Sequence, residues 1–339
     1  MRNKQKIITI LGENILPGCR KILNLDVARL HTYTKLEVPV IVDRAKIDGP
    51  CLLLLSGIHG NELNGVEIVR ELLAGKYTKP HAGMVISIPT VNIFGFINQT
   101  REFPDGKDLN RAFPGSTKGS LASIFAHHLM SEIIPRVDYC IDFHTGGARR
   151  FNSSQLRISR GDEELVTLAK VFNPRFIVSA GERERSFREA ATKAGKKVLL
   201  FEGGKSHDFN QRITMRGVTG TLRLMHYLGM RDFSAELAGK DLPPPVVIKK
   251  SMWVRARQGG LFRFYIKDGS KVDKGQVIGT ISDPYGKYEF KVKIPHCGYV
   301  IGLNHAPVVY KGDALMHLGV VWNNIPPSHE NNGNKHQKH

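Results

Sequence analysis

The sequence predicts an α/β domain on a largely parallel or mixed sheet, followed by a smaller all-β domain. Three observations carry that prediction. An unbroken apolar run, Cys51 to Leu55, passes directly into residues with helical periodicity. Strand-like and helix-like segments then alternate as far as about residue 227. Beyond Asp241-Leu-Pro-Pro-Pro245 the pattern becomes short alternating strands punctuated by glycine turns.

Residues 1–48 read as a β segment: KIITILG, a turn at Pro17-Gly18, then HTYTKLEVPVIVDR with partial alternation. Cys51–Leu55 lacks polar alternation and ends in Ser-Gly, as a strand buried on both faces does. From Asn61 onward Leu63, Val66, Val69, Leu72 and Leu73 recur at helical spacing. A strand from Met84 to Ile88 leads into a Gly/Pro/Asn-rich stretch ending near Gly115, and loops of that length usually carry function. A helix over Ser120–Ile134 precedes a strand that delivers Asp142 and His144. Then follow a helix over Glu163–Val171, a strand over Arg175–Ser179, a helix over Phe187–Lys193, a strand over Lys197–Phe201 and a helix over Val218–Tyr227. The proline stretch sets a boundary. Residues 1–241 form the α/β domain and 246–322 the β domain. The polar tail 323–339, with three histidines, reads as disordered.

Bulk properties narrow the function classes. No apolar run is long enough to span a bilayer, and the N-terminus lacks the apolar core of a signal peptide. A cytoplasmic protein is expected, without membrane partners. The four cysteines lack metal-type spacing, and Cys51 and Cys140 sit in apolar runs as buried free thiols. Net charge is +18, from 49 basic and 31 acidic residues. Without a helix-turn-helix, an RNA-binding aromatic motif or a zinc finger, that excess points to an anionic small molecule or peptide rather than nucleic acid.

Chemistry clusters where apolar runs end in glycine. His59-Gly-Asn-Glu62 presents an imidazole and a carboxylate three residues apart, which is half of a zinc site. His144 lies 85 residues later, at the end of another strand, and Glu202 ends a third. Two histidines and a glutamate leave the fourth position of zinc open, the catalytic arrangement. Asp142 and His144 share a side of their strand, so Asp142 can orient a ligating ring. In the long loop, Arg101 and the run Asp108-Leu-Asn110-Arg111 offer cations and donors suited to carboxylates.

Together the HGNE at 59–62, DLNR at 108–111, DFHTGG at 142–147 and FEGG at 201–204 resemble the succinylglutamate desuccinylase/aspartoacylase family of zinc enzymes. The resemblance covers about residues 1–320. It implies a zinc carboxypeptidase-like fold for the α/β domain, and one Zn2+ per chain held by His59, Glu62 and His144. It implies that Glu202 is the general base and Arg101 the group that polarises the scissile carbonyl. Asn110 and Arg111 would bind the α-carboxylate of the substrate, and Arg188 the distal carboxylate of the acyl group. Tyr310 matches a substrate-contacting tyrosine of some members. The β domain is similar to barrel-sandwich folds of the biotinyl/lipoyl kind. The turn Asp283-Pro-Tyr-Gly-Lys287 departs from the lysine context a carrier needs, which favours a structural or pocket-capping role.

The expected function is hydrolysis of the amide of an N-acyl amino acid with an acidic acyl or amino-acid part. A carboxypeptidase that trims acidic residues from a peptide or protein tail is the alternative. A binding protein that keeps the fold without turnover is a third reading, but it gives Glu202 nothing to do. Homo-oligomerisation is left open by the sequence.

Overall fold

A computed structural model describes residues 7–29, 33 and 35–321. A two-stranded ribbon, β1 (Ile8–Ile10) and β2 (Glu13–Ile15), precedes a long hairpin of β3 (Arg20–Arg29) and β4 (Lys35–Arg44). The chain continues through β5 (Ile47–Ser56), α1 (Leu63–Ala74), β6 (Ala82–Ile88), α2 (Ile93–Asn98) and α3 (Leu121–His128). Next come β7 (Tyr139–Gly146), β8 (Arg150–Ile158), α4 (Glu163–Phe172), β9 (Phe176–Ser179) and α5 (Phe187–Lys193). Then β10 (Lys197–Lys205), α6 (Gln211–Tyr227) and the single turn α7 (Ser234–Leu237) close the helical part. The β-rich remainder holds β11 (Val246–Ile248), β12 (Lys250–Arg255), β13 (Gly260–Phe264), β14 (Lys271–Val272) and β15 (Val277–Ser282). It ends with β16 (Glu289–Lys293), β17 (Gly298–Asn304), β18 (Val308–Val309) and β19 (Ala314–Val320).

One mixed sheet runs in the order β12-β19-β17-β8-β10-β7-β5-β6-β4-β3. Its centre, β10, β7, β5 and β6, is parallel, so the connections between these strands cross over the sheet. Helices cover both faces there, which is why β5 reads as five consecutive apolar residues. Leu53 and Leu55 pack toward α3 and α5, while Leu52 and Leu54 pack toward α1, α4 and α6. Each such leucine, fully withdrawn from water, contributes about 1.5–3 kcal/mol.

The face each residue takes decides where the chemistry lies. Along β7, Ile141 and Phe143 enter the core under α1 and α6, so Cys140, Asp142 and His144 point to the α3/α5 side. Along β10, Leu199 and Phe201 do the same and leave Glu202 on the α3/α5 side. Cys51 and Cys140 are buried free thiols, as their apolar context suggested.

Several elements differ from the sequence reading. The strand β8 lay in unassigned sequence because its interior is polar: Asn152, Ser153, Ser154 and Gln155 are all buried. It pairs with β10 on one side and with β9 and β17 on the other. The β-rich part therefore does not stand off behind its linker: β17, β19 and β12 extend the same sheet as the central parallel strands. A separate sheet of β16, β15, β13 and β18 lies beyond them. Part of the long loop is helical, since Asn92 caps α2 through Gly95 N–H and ties Glu102 O with its amide at 2.8 Å. The tail at 323–339 lies outside the described residues.

Helix α6 starts at Gln211, seven residues before the expected position. Asn210 caps it, but the first turns bury Thr214, Gly217 and Gly220 among the apolar Ile213 and Val218, which weakens the periodicity. A Cβ on Gly220 would stand 2.3 Å from the Phe172 ring of α4. Gly220→Ala should therefore destabilise the fold by about 1–3 kcal/mol despite the better helix propensity of alanine. A lowered urea midpoint at unchanged m-value checks this; an unchanged or raised midpoint refutes the close approach.

Candidate metal and active site

The strand β5 hands over to α1 through a turn that only small residues permit. Gly57 has φ +66. A Cβ on Gly60 would stand 1.9 Å from the Gly95 carbonyl carbon of α2, so no other residue fits between His59 and Asn61. This turn aims His59 and Glu62 inward, toward His144 at the end of β7.

The three side chains meet. His59 Nδ1 lies 2.8 Å from Glu62 Oε1, and His144 Nδ1 lies 3.0 Å from Glu62 Oε2. One candidate ligand atom from each falls within 4.8 Å of the others, and all three residues are buried. The two imidazole centroids are 5.1 Å apart, with planes at 62°. On their outer edges the rings are held by carboxylates: His59 Nε2 at 3.0 Å from Asp108 Oδ1, and His144 Nε2 at 3.0 Å from Asp142 Oδ2. A proton on each Nε2, donated to its aspartate, leaves both Nδ1 lone pairs facing the shared centre.

These donors fit a zinc ion. His59 Nδ1 is buried and, although near Glu62, is not aligned with any hydrogen-bond partner. Such an orphaned nitrogen needs a cation or a proton. Two imidazoles and one carboxylate with outer aspartates match the chemistry of a catalytic zinc site. Without a cation the three side chains balance one another's charge. Burial opposes ionisation of Glu62, but His59 and His144 hold its carboxyl well below the ordinary glutamate range. Burial likewise opposes protonation of His144, while Asp142 and Glu62 hold its ring well above the usual imidazole value.

Around this centre lies a cavity of about 490 Å³. Glu202 lines it from β10, in register beside His144 of β7. Its carboxylate accepts from Asn152 Nδ2 at 2.8 Å and lies 3.8 Å from Arg157 Nε. Arg101 also lines the cavity, with Nη1 3.2 Å from Glu62 Oε1 and Nη2 2.9 Å from Asp108 Oδ2. Asn110 and Arg111 line it from the short 3-10 turn Leu109–Arg111. Asn110 Oδ1 accepts from Phe187 N–H at 2.8 Å, which ties that turn to α5. Arg188 is buried there; Nη2 donates to Gly181 O at 2.7 Å and Nη1 has no partner.

One residue of the expected set falls elsewhere. Tyr310 is 75% exposed after β18 and is not among the cavity-lining residues. Trp253 and His317 represent the β-rich part in the cavity instead. A second cavity, about 560 Å³ between β12 and β16, contains no histidine, cysteine or acid in its lining and holds no comparable chemistry. Sequence reasoning quoted Asp108 within its motif without giving it a role. It missed Asn152 and Arg157 because they ride on the unrecognised polar strand. Trp253 and His317 have no local signal that could have found them.

The catalytic-domain model of the succinylglutamate desuccinylase/aspartoacylase family matches residues 48–228. The N-alpha-acetyl-L-2,4-diaminobutyric acid deacetylase of Halomonas elongata is 28% identical over 263 residues, 73% of this chain and 74% of that protein. A succinylglutamate desuccinylase/aspartoacylase structure from Rhodobacter sphaeroides superposes with a TM-score of 0.77 at 24% identity, covering 88% of this chain and 95% of that one. The product-bound ectoine utilization protein EutE (DoeB) from Ruegeria pomeroyi gives 0.77 at 22% identity, with 89% and 95% covered. These two structures share the fold with this chain.

Asp108→Asn should weaken metal retention by about 10–100-fold, because His59 loses the acceptor that fixes its ring. Competition with a chromogenic chelator measures the effect. Wild-type retention would rule out the orienting role of Asp108.

Proposed function

Since this chain belongs to the succinylglutamate desuccinylase/aspartoacylase family, we propose that it is a zinc-dependent deacylase cleaving the amide of an N-acyl amino acid with an acidic acyl or amino-acid part. The single observation behind the proposal is the meeting of His59, Glu62 and His144 in one cavity with a second glutamate, Glu202, beside them.

Zinc held by His59, Glu62 and His144 would supply Lewis acidity and lower the pKa of a bound water. The protein supplies the remainder. Glu202 takes the proton of the attacking water on its carboxylate and returns it to the departing amine. Asn152 fixes the orientation of that carboxylate through a 2.8 Å hydrogen bond. Arg101 lines the cavity, held by Glu62 and Asp108, and suits the oxygen that gains charge as the carbonyl is attacked. Arg111 and the free amide N–H groups of Asn110 suit the α-carboxylate, and the unpartnered Nη1 of Arg188 suits a carboxylate on the acyl group.

Charge supports the acidic preference. Arg101, Arg111, Arg150, Arg157, Arg183 and Arg188 line the cavity, whereas its acids Glu62, Asp142 and Glu202 are all engaged. Asp142 Oδ1, a lining carboxylate oxygen without a partner, is buried, so the guanidinium groups dominate the accessible lining and an anionic substrate suits it.

Glu202→Gln should retain metal and fold yet lose about 10²–10⁴-fold in kcat on N-succinyl and N-acetyl amino acids, measured by amine release. Undiminished turnover would refute the base assignment. Metal removal by chelation should abolish the same activity, and zinc should restore it. A preference for glutamyl peptides over every N-acyl amino acid would instead identify a carboxypeptidase.

A further inference from the structure

The edges of two sheets flank the second cavity. Among the described residues, β12 ends the large sheet and pairs only with β19, while β16 ends the smaller sheet and pairs only with β15. Between them lies a cleft of about 560 Å³. It is lined by consecutive residues, Met252 to Arg255 of β12 and Phe290 to Lys293 of β16. A cleft lying over a sheet face would meet every second residue, whereas one that meets each in turn runs along the strand edges. Such edges carry backbone N–H and C=O groups that their own sheet does not use.

The side chains on both edges follow the strand period of two. Met252, Val254 and Val292 pack into one apolar cluster and so face inward. Between and beside them, Arg255, Lys291 and Lys293 are exposed, and Arg257 follows just beyond β12. Arg255 Nη1 donates to Gly312 O at 2.8 Å. None of these four cations forms an ion pair among the described residues, and the cleft has no acid in its lining.

These features select an occupant. A second copy of this chain pairing through β12 or β16 would set lysine and arginine against like charge, which opposes that contact. A small anion would meet the cations but leave the backbone edges unpaired. The four lining residues of each strand span about 13 Å, a length that suits an extended segment. We propose that the cleft docks an extended acidic segment of a partner protein, which adds a strand along the free edge of β16. Its alternate apolar side chains lie over Met252, Val254 and Val292, and its carboxylates lie beside Lys291, Lys293 and Arg255. The proposal does not depend on the deacylase reading.

Trp253 lines the cleft, and Trp322→Phe leaves it as the single indole of the full chain. The probe is an acetylated hexapeptide alternating glutamate and valine. It should bind saturably, by indole emission and by calorimetry, with affinity falling as salt rises. The double substitution Lys291→Glu and Lys293→Glu, at exposed positions outside the catalytic cavity, should weaken binding about tenfold or more with the far-UV circular dichroism unchanged. Of two further peptides, one N-methylated on its glutamates and one on its valines, at least one should bind about tenfold more weakly, because it lacks the N–H groups that face β16. Absence of binding by both methods overturns the proposal. So does undiminished binding to the double variant, which would place the peptide in the arginine-rich catalytic cavity, since Trp253 lines that cavity too. Equal binding of all three peptides overturns the added strand and leaves attraction between charges alone.

Discussion

A single buried carboxylate, that of Glu62, holds the site together. It faces His59 on one oxygen and His144 on the other, accepts from Thr145 N–H at 2.8 Å, and lies 3.2 Å from Arg101. A buried carboxylate without such partners would lose its charge. Surrounded by them, it stays ionised and draws together the turn after β5, the end of β7 and the long loop. Asp108 extends the same network by contacting both His59 and Arg101. The orientation of His59 and the position of Arg101 are thus coupled through one side chain, so the loop cannot shift without loosening the cluster.

Register delivers the rest. Parallel pairing sets Glu202 of β10 beside His144 of β7, and the helices on the opposite face settle which way both side chains point. A slip by one residue would bury Glu202 under α6 and leave Phe201 in the cavity. The apolar faces of β5, β7 and β10 therefore guard catalytic geometry as well as stability. The strand β8 extends the sheet at a cost, because it buries a polar stretch whose groups need partners. Several find them across the junction: Ser153 Oγ donates to Asp268 Oδ2 at 3.0 Å, and Gln155 Nε2 donates to Ile301 O at 3.4 Å. Polar pairing there fixes how the β-rich part sits against the catalytic strands, and so places Trp253 and His317.

What could be read from sequence follows from how local each signal was. The run Cys51–Leu55 announced a strand covered on both faces, and the glycines after it announced a turn; both rest on neighbouring residues. His59, Glu62 and His144 were legible because each ends such a run. Asp142 was legible through strand alternation alone. The strand β8 was not legible, since its polar residues are satisfied by partners distant in sequence, such as Glu202 for Asn152 and Asp268 for Ser153. For Tyr310 the obstacle was different. It sits beside a turn whose Asp313 carboxylate takes the Tyr310 N–H at 2.8 Å, and this local hydrogen bond leaves the ring in solvent. The residues that do reach the cavity, Trp253 and His317, owe their place to pairing across β12 and β19 and look ordinary in the sequence.

The guanidinium groups of the cavity show why its ligand should be an anion. Arg183 is half-buried there, and burial together with Arg111 and Arg157 disfavours its charge. Arg188 is in the same position: burial lowers its pKa, and Arg157 adds to the effect. Guanidinium nonetheless stays protonated in proteins. Glu202 offsets part of this repulsion at Arg183 and, with Glu182 and Asp142, at Arg188, yet burial still leaves both groups below their ordinary values. An anionic ligand gains its own contacts and also relieves repulsion among groups already fixed in place. Fixed cations cost little reorganisation on binding, so more of the attraction appears as affinity. A neutral acyl group would leave that repulsion in place, and a cationic one would add to it. The proposed preference for an anionic substrate would thus act before any single contact is counted.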